Sequence, residues 1–158
     1  MEMESNVLRL IAGMSREELV RAVCSIRGGK INGEVCVEKL LHIPFPEKLN
    51  TKEILMLVKV PVSWVEKMDA LVSAGRYNNR RDFIRAAVER LVQRMLDEGV
   101  AIARSEERGW EVKTSIGVKI SAAYLGFVEL LILKGVYKSI AHFIRTAIEE
   151  LLKEELSK

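Results

Sequence analysis

The stretch that decides the fold occupies residues 56–91, with the sequence MLVKVPVSWVEKMDALVSAGRYNNRRDFIRAAVERL. Residues 116–151 form a second stretch, IGVKISAAYLGFVELLILKGVYKSIAHFIRTAIEEL, which aligns with the first without a gap at a constant offset of 60 residues. Identical residues stand at Val58/Val118, Lys59/Lys119, Gly75/Gly135, Tyr77/Tyr137, Phe83/Phe143, Ile84/Ile144, Arg85/Arg145, Glu89/Glu149 and Leu91/Leu151. A gapless match of this length predicts a duplicated structural unit.

Each copy predicts one strand followed by two helices. In the first copy, residues 55–60 are rich in β-forming residues and stop at Pro61, which cannot donate a hydrogen bond to a strand partner. We expect Ser63 to cap a helix that ends at Gly75, and Asn79 to cap a longer helix with a wide apolar stripe.

The second copy repeats this order. Residues 113–120 predict a strand, and Ser121 is placed to cap the helix that follows it. Gly135 predicts the end of that helix, and Ser139 caps the last one. The shared positions suggest packing roles for Tyr77 and Tyr137, whereas His142 is expected on a helix surface.

Composition indicates a soluble globular protein. The chain has 158 residues, of which 49% are hydrophobic and 30% charged. No apolar run reaches the roughly 18 residues of a membrane span, and the acidic N-terminus does not resemble a secretory signal. We therefore expect a cytoplasmic protein that does not bind membranes, with Cys24 and Cys36 as free buried thiols. Lys, Arg and Glu are plentiful and Gln93 is the single glutamine, a thermophile-like bias.

Nothing in the sequence predicts an enzyme. The cysteines and the two histidines are too dispersed for a zinc site or a nucleophile–base pair. There is no glycine-rich phosphate loop. We expect no catalytic residue, no cofactor and no metal.

Basic residues are concentrated in the first copy. The formal net charge is +3, but residues 51–96 hold nine basic and five acidic residues. Residues 111–158 hold seven basic and six acidic residues and are nearly neutral. A localised positive excess is typical of a nucleic-acid surface.

The predicted organisation has four parts. Residues 1–50 form a mostly helical N-terminal extension, in which Ser15 and Glu18 match a capping box. Residues 54–96 are the first copy, 97–110 a linker with some continuing helix around 101–103, and 111–155 the second copy. The extension is either a helix-turn-helix or a packing and oligomerisation segment, and it is the expected contact for a second copy of the chain or for a protein partner.

The two copies resemble the ribbon-helix-helix family, the Arc/MetJ/CopG group of DNA-binding proteins. The resemblance rests on the alternating strand, the glycine with a tyrosine two residues later, the polar cap and the Phe-Ile-Arg start of the second helix. It covers about two-thirds of the chain. It implies a mainly α fold with a short two-stranded antiparallel β ribbon, built as a tandem intrachain pseudo-dimer. The strands pair either within one chain, which high effective concentration favours, or between two chains.

The resemblance also implies a DNA-binding transcriptional regulator or repressor with double-stranded DNA as its partner. The outward ribbon face would enter the major groove, and the N-termini of the second helices would hold phosphates. The implied DNA-binding residues are Leu57, Lys59, Asn79, Arg80, Arg81, Ser115, Gly117, Lys119, Lys138 and Ser139.

An alternative function is a protein-interaction or oligomerisation module, including an antitoxin-like protein. Leu55 and Leu57 are apolar at outward positions where the family has polar or basic side chains, and such a surface also suits a protein partner. Gly117 has no side chain, and the second copy has no arginine after its cap. If the chain binds DNA, we expect an asymmetric site.

Overall fold

The computed structural model describes residues 5–44, 52–98 and 112–158. Within these ranges the chain is mainly helical, with one two-stranded antiparallel sheet, which confirms the coarse fold class. The elements are α1 (Asn6–Gly13), α2 (Arg16–Ser25), α3 (Gly33–Leu41), β1 (Glu53–Pro61), α4 (Val62–Ser73), α5 (Arg80–Glu98), β2 (Lys113–Ser121), α6 (Ala122–Lys134) and α7 (Ile140–Leu156). Residues 97 and 98 of the predicted linker belong to α5. The rest of that linker, with its helix around 101–103, lies outside the described ranges.

The strands β1 and β2 of the same chain form the ribbon, as expected for pairing within one chain. Leu57 lies opposite Gly117, its equivalent in the repeat, at the centre of two nine-residue strands. Backbone hydrogen bonds close both ends in equivalent ways: Val62 N–H donates to Val112 O (3.0 Å) and Ala122 N–H donates to Lys52 O (2.6 Å). Each strand continues directly into the helix that follows it.

One face of the ribbon is buried. Alternate side chains point to opposite faces of a strand. The inward residues Val58, Val60, Ile116, Val118 and Ile120 are buried, and Met56 is half-buried. They pack under the long helices α5 and α7, which also pack on each other.

The two halves interlock. Helix α5 of the first half packs on β2, and α7 of the second half packs on β1. The apolar stripe of each long helix is buried, including Phe83 and Phe143, both fully enclosed. The tyrosines pack as predicted: the rings of Tyr77 and Phe83 are 4.9 Å apart and those of Tyr137 and Phe143 5.0 Å apart. Because each strand needs the helix of the other half, neither half has a complete core alone.

The helix ends follow the sequence with one exception. Gly75 and Gly135 both have positive φ angles (79° and 85°), as predicted for residues that end a helix. Ser121 caps α6 by accepting a hydrogen bond from Ala123 N–H. The expectation that Ser63 caps α4 was wrong, because the helix begins at Val62, immediately after the strand, and Pro61 occupies the cap position.

The N-terminal helices α1–α3, called the N-terminal unit below, agree with the expected mostly helical extension; α2 packs on α3, and α1 packs on α6 and α5. The Ser15–Glu18 capping box begins α2 as predicted. The expectation of free thiols was wrong, because Cys24 of α2 and Cys36 of α3 form a disulfide with their Cα atoms 5.8 Å apart. The two helices pack side by side, which brings together cysteines 12 residues apart in the sequence.

The N-terminal unit packs on α6, and Lys134 of α6 forms hydrogen bonds to the end of α2. Helices α1, α2 and α3 all pack on α6. Lys134, at the end of α6, is only 3% exposed. Its ammonium donates to the carbonyl oxygens of Val23 and Cys24 (3.1 Å each) and of Ile26 at the end of α2. The unpaired carbonyls at a helix C-terminus favour a cation. Burial lowers the pKa of Lys134.

Side-chain hydrogen bonds join the turn between α4 and α5 to the last turn of α7. Arg76 Nη1 donates to Glu155 Oε2 (2.5 Å), and Tyr77 Oη donates to Glu155 Oε1 (3.2 Å). Burial raises the pKa of Glu155, but hydrogen bonds from Lys158, Tyr77 and Arg76 outweigh that effect and hold the pKa below its ordinary value.

Candidate nucleic-acid interface

The outward face of the ribbon is exposed to solvent. Its cross-strand pairs are Leu55 with Lys119, Leu57 with Gly117, and Lys59 with Ser115. Leu55 is 62% and Leu57 71% exposed. The structure therefore brings the predicted ribbon residues together on one open face, with the central pair lacking a side chain on the β2 side.

Lys59 and Lys119 lie at equivalent positions on either side of the centre. Each stands two residues beyond the central pair Leu57–Gly117, so the two ammonium groups flank the middle of the face. Both are exposed, and neither forms an ion pair with any residue that the structure describes. They are positioned to meet an anionic partner.

The first turn of α5 lies beside one end of the ribbon. Asn79 caps this helix, because its Oδ1 accepts a hydrogen bond from Asp82 N–H (2.9 Å). Arg85, inside the helix, lies 3.9 Å from the Glu53 carboxylate at the start of β1 and also pairs with Asp82 (3.1 Å). These contacts fix the N-terminus of α5 next to the strands, and the backbone N–H groups of a helix N-terminus favour a negatively charged neighbour.

Arg80 and Arg81, in the first turn of α5, differ in whether they form an ion pair. Arg80 makes a two-pronged ion pair with Asp69 of α4, with Nε and Nη2 2.6 and 2.7 Å from the two carboxylate oxygens. The hydrogen bond from Arg80 holds the pKa of Asp69 below its ordinary value. Arg81 is exposed and has no ion pair among the described residues. Arg81 is therefore open to a phosphate, whereas Arg80 is engaged.

The equivalent turn before α7 has a serine cap in place of the asparagine and an additional hydrogen bond to a histidine. Ser139 caps the helix by accepting a hydrogen bond from His142 N–H (3.1 Å), and the exposed Lys138 precedes it. The backbone N–H of Lys138 donates to His142 Nδ1 (3.2 Å). The expectation of a surface histidine was wrong: His142 is 8% exposed, because its ring packs against Tyr137 and closes the turn.

Sequence reasoning missed Asp69 as a determinant of this surface. Asp69 lies 11 residues before Arg80, on a different helix, and only the packing of α4 against α5 brings the two together. No local pattern predicts such a pair. It also missed how completely α6 is covered, although the adjacent Leu130 and Leu131, both buried, were a visible sign of an additional packing surface.

No family model matches the chain, and the comparisons with curated proteins and with solved structures also give no match. Among the described residues, no helix is both long and apolar enough to cross a membrane. The same residues contain no group of three or more His, Cys, Asp or Glu side chains arranged to hold a metal ion.

Proposed function

We propose that this chain is a DNA-binding transcriptional regulator of the tandem ribbon-helix-helix type, acting without catalysis. The observation that carries the proposal is the free outward face of the ribbon, flanked symmetrically by Lys59 and Lys119. The major groove of B-DNA, about 12 Å wide, admits a two-stranded β ribbon. Lysines on this face donate to guanine or to phosphate oxygens, and so provide both affinity and orientation.

The helix ends support the same partner. The N-termini of α5 and α7 would each hold a backbone phosphate, one on either side of the groove, through N–H groups and the helix dipole. Arg81 strengthens the first of these sites, and the exposed Lys138 strengthens the second. Residues 51–96 provide a positive excess that attracts DNA over longer distances.

Because both strands belong to one chain, a single molecule would present a complete ribbon. The two halves carry different outward side chains, so the DNA site would be asymmetric. We place this regulator in the cytoplasm. The Cys24–Cys36 disulfide is unusual for that compartment, but disulfides occur inside cells of hyperthermophiles, and the glutamine-poor, charge-rich composition fits such a source.

The test is fluorescence anisotropy of a labelled random-sequence duplex over a salt series, with wild type and the variants Lys59→Ala and Lys119→Ala. We expect affinity to fall linearly on a log–log plot against salt, because phosphate contacts release counterions. Each variant should weaken binding and reduce the slope of log affinity against log salt by about one, because one phosphate contact is lost.

Lys153→Ala is the matched control, since it removes the same charge from an exposed site in the last turn of α7. Its binding should stay close to that of wild type. Absence of binding at low salt, or equal losses in all three variants, would contradict the proposal.

A second candidate is supported by the exposed leucines. A ribbon that has lost DNA binding, as in a protein-interaction or antitoxin-like module, would use Leu55 and Leu57 as an apolar contact. In that case Leu57→Ala would abolish binding to a protein partner while duplex DNA would fail to bind at any salt concentration. The N-terminal unit is the alternative contact for such a partner or for a second copy of the chain.

A further inference from the structure

The outward ribbon face is apolar on one side of its centre and polar on the other. Leu57 stands at the centre, and Leu55 stands on one side, beside Lys119. The equivalent residues of β2 are Gly117, which is also at the centre, and Ser115, which stands on the other side, beside Lys59. The two lysines are thus repeated symmetrically, whereas the leucines are not.

The two leucines form one continuous patch over Gly117. A Cβ atom added to Gly117 would lie 3.5 Å from Leu55 Cδ1 and 3.5 Å from Leu57 Cδ2. Both leucine side chains therefore lean across the ribbon, over the glycine backbone. The patch remains 62–71% exposed at its two leucines, so its methyl groups face the solvent that a partner would displace.

We infer that Leu55 and Leu57 select thymine by contacting its 5-methyl group in the major groove, at the centre and in one half of an asymmetric site. This inference rests on the proposed DNA binding. Thymine is the base that presents an apolar group in the major groove, and the flanking lysines match the charge of the phosphates around it. A protein partner would need an apolar surface enclosed by acidic groups on both sides.

The strand geometry sets the spacing of the selected thymines. Successive outward residues on a strand lie about 6.8 Å apart, which equals about two base-pair steps at 3.4 Å each. Leu57 and Leu55 should therefore select thymines about two steps apart. The half facing Lys59 and Ser115 should show no dependence on methyl groups.

The experiment begins by selecting the preferred duplex from a random pool. Each thymidine of that duplex is then replaced singly by deoxyuridine, which removes only the 5-methyl group. We expect affinity to fall about fourfold at the central and one flanking position, and to stay unchanged in the other half. Leu57→Ala should remove the central effect and Leu55→Ala the flanking effect, and both exposed substitutions leave the core intact.

Lys59→Ala is the control, because it should weaken binding to every duplex and leave the thymidine-to-deoxyuridine ratio unchanged. A selected duplex whose affinity is unaffected by every deoxyuridine would overturn the inference but leave DNA binding standing. The same holds if the leucine variants keep the deoxyuridine effect. Failure to select any duplex would overturn both, and would favour a protein partner for the leucines.

Discussion

Arg80 and Arg81 are adjacent in sequence but have different environments, and this difference shows what a sequence motif cannot reveal. The basic pair after Asn79 predicts two phosphate contacts. In the structure, both arginines are exposed, but Asp69 forms an ion pair with Arg80, whereas Arg81 has no ion pair among the described residues. Charge type and position are visible in the sequence, but the pairing of a charge depends on packing between helices.

Asp69→Asn should therefore strengthen DNA binding. Removing the carboxylate charge releases Arg80, which gains a phosphate contact, so the slope of log affinity against log salt should steepen by about one. The measurement is the anisotropy salt series on one duplex. Asp97→Asn, which removes the same charge from the end of α5, is the control. Unchanged affinity in Asp69→Asn would show that Arg80 lies too far from the DNA backbone.

Glu155 should make the free energy of unfolding depend on pH. Its folded-state pKa is lowered, so its contribution is complete above the ordinary value of 4.5 and is lost as the pH falls through the lowered pKa. Glu155→Gln should lower the free energy of unfolding at pH 7 by about 1–3 kcal/mol, and the variant should lose less stability on acidification. Urea unfolding at several pH values measures this. A parallel acid dependence in both proteins would contradict the role of Glu155.

At the scale of elements, the sequence pattern predicted the strands, the helices and the helix ends that depend on interactions between neighbouring residues. The alternating strands, the helices and the glycine ends follow from periodicity and from residues with special backbone freedom, as Gly75 and Gly135 show. The disulfide, the buried His142 and the Lys134 contact did not follow from the sequence. The disulfide and the Lys134 contact each depend on how two helices pack, such as α6 against the end of α2. His142 is buried by the fold of its own turn, through Tyr137 and the backbone of Lys138.

Lys134→Met should loosen the N-terminal unit from α6. Methionine can replace the buried aliphatic stem, but it leaves the three carbonyls of the α2 terminus without their donor. We expect a loss of about 2–4 kcal/mol in the free energy of unfolding, measured by urea denaturation. Lys153→Met, at an exposed position, should change it by less than about 0.5 kcal/mol. Equal stability of the two variants would mean that the Lys134 contact contributes little.

At the scale of the whole molecule, two halves share one ribbon and one core. Pairing of β1 with β2 in one chain makes the molecule a complete ribbon unit. Of the two equivalent helices α4 and α6, the N-terminal unit covers α6, whereas Glu66, Lys67 and Ala70 of α4 remain exposed. The sequence repeat predicts the approximate symmetry of the ribbon, but nothing in it predicts which half the N-terminal unit would cover.

The most direct test of the central claim compares two duplexes that differ only in the major groove. One contains the selected site with ordinary cytosine, and the other carries glucosylated 5-hydroxymethylcytosine, whose sugar fills the groove without changing the phosphates. A ribbon in the major groove predicts that anisotropy detects binding to the first duplex, saturating at one chain per site, and at least a tenfold weaker affinity for the second. Equal affinity for the two duplexes would contradict insertion of the ribbon into the major groove.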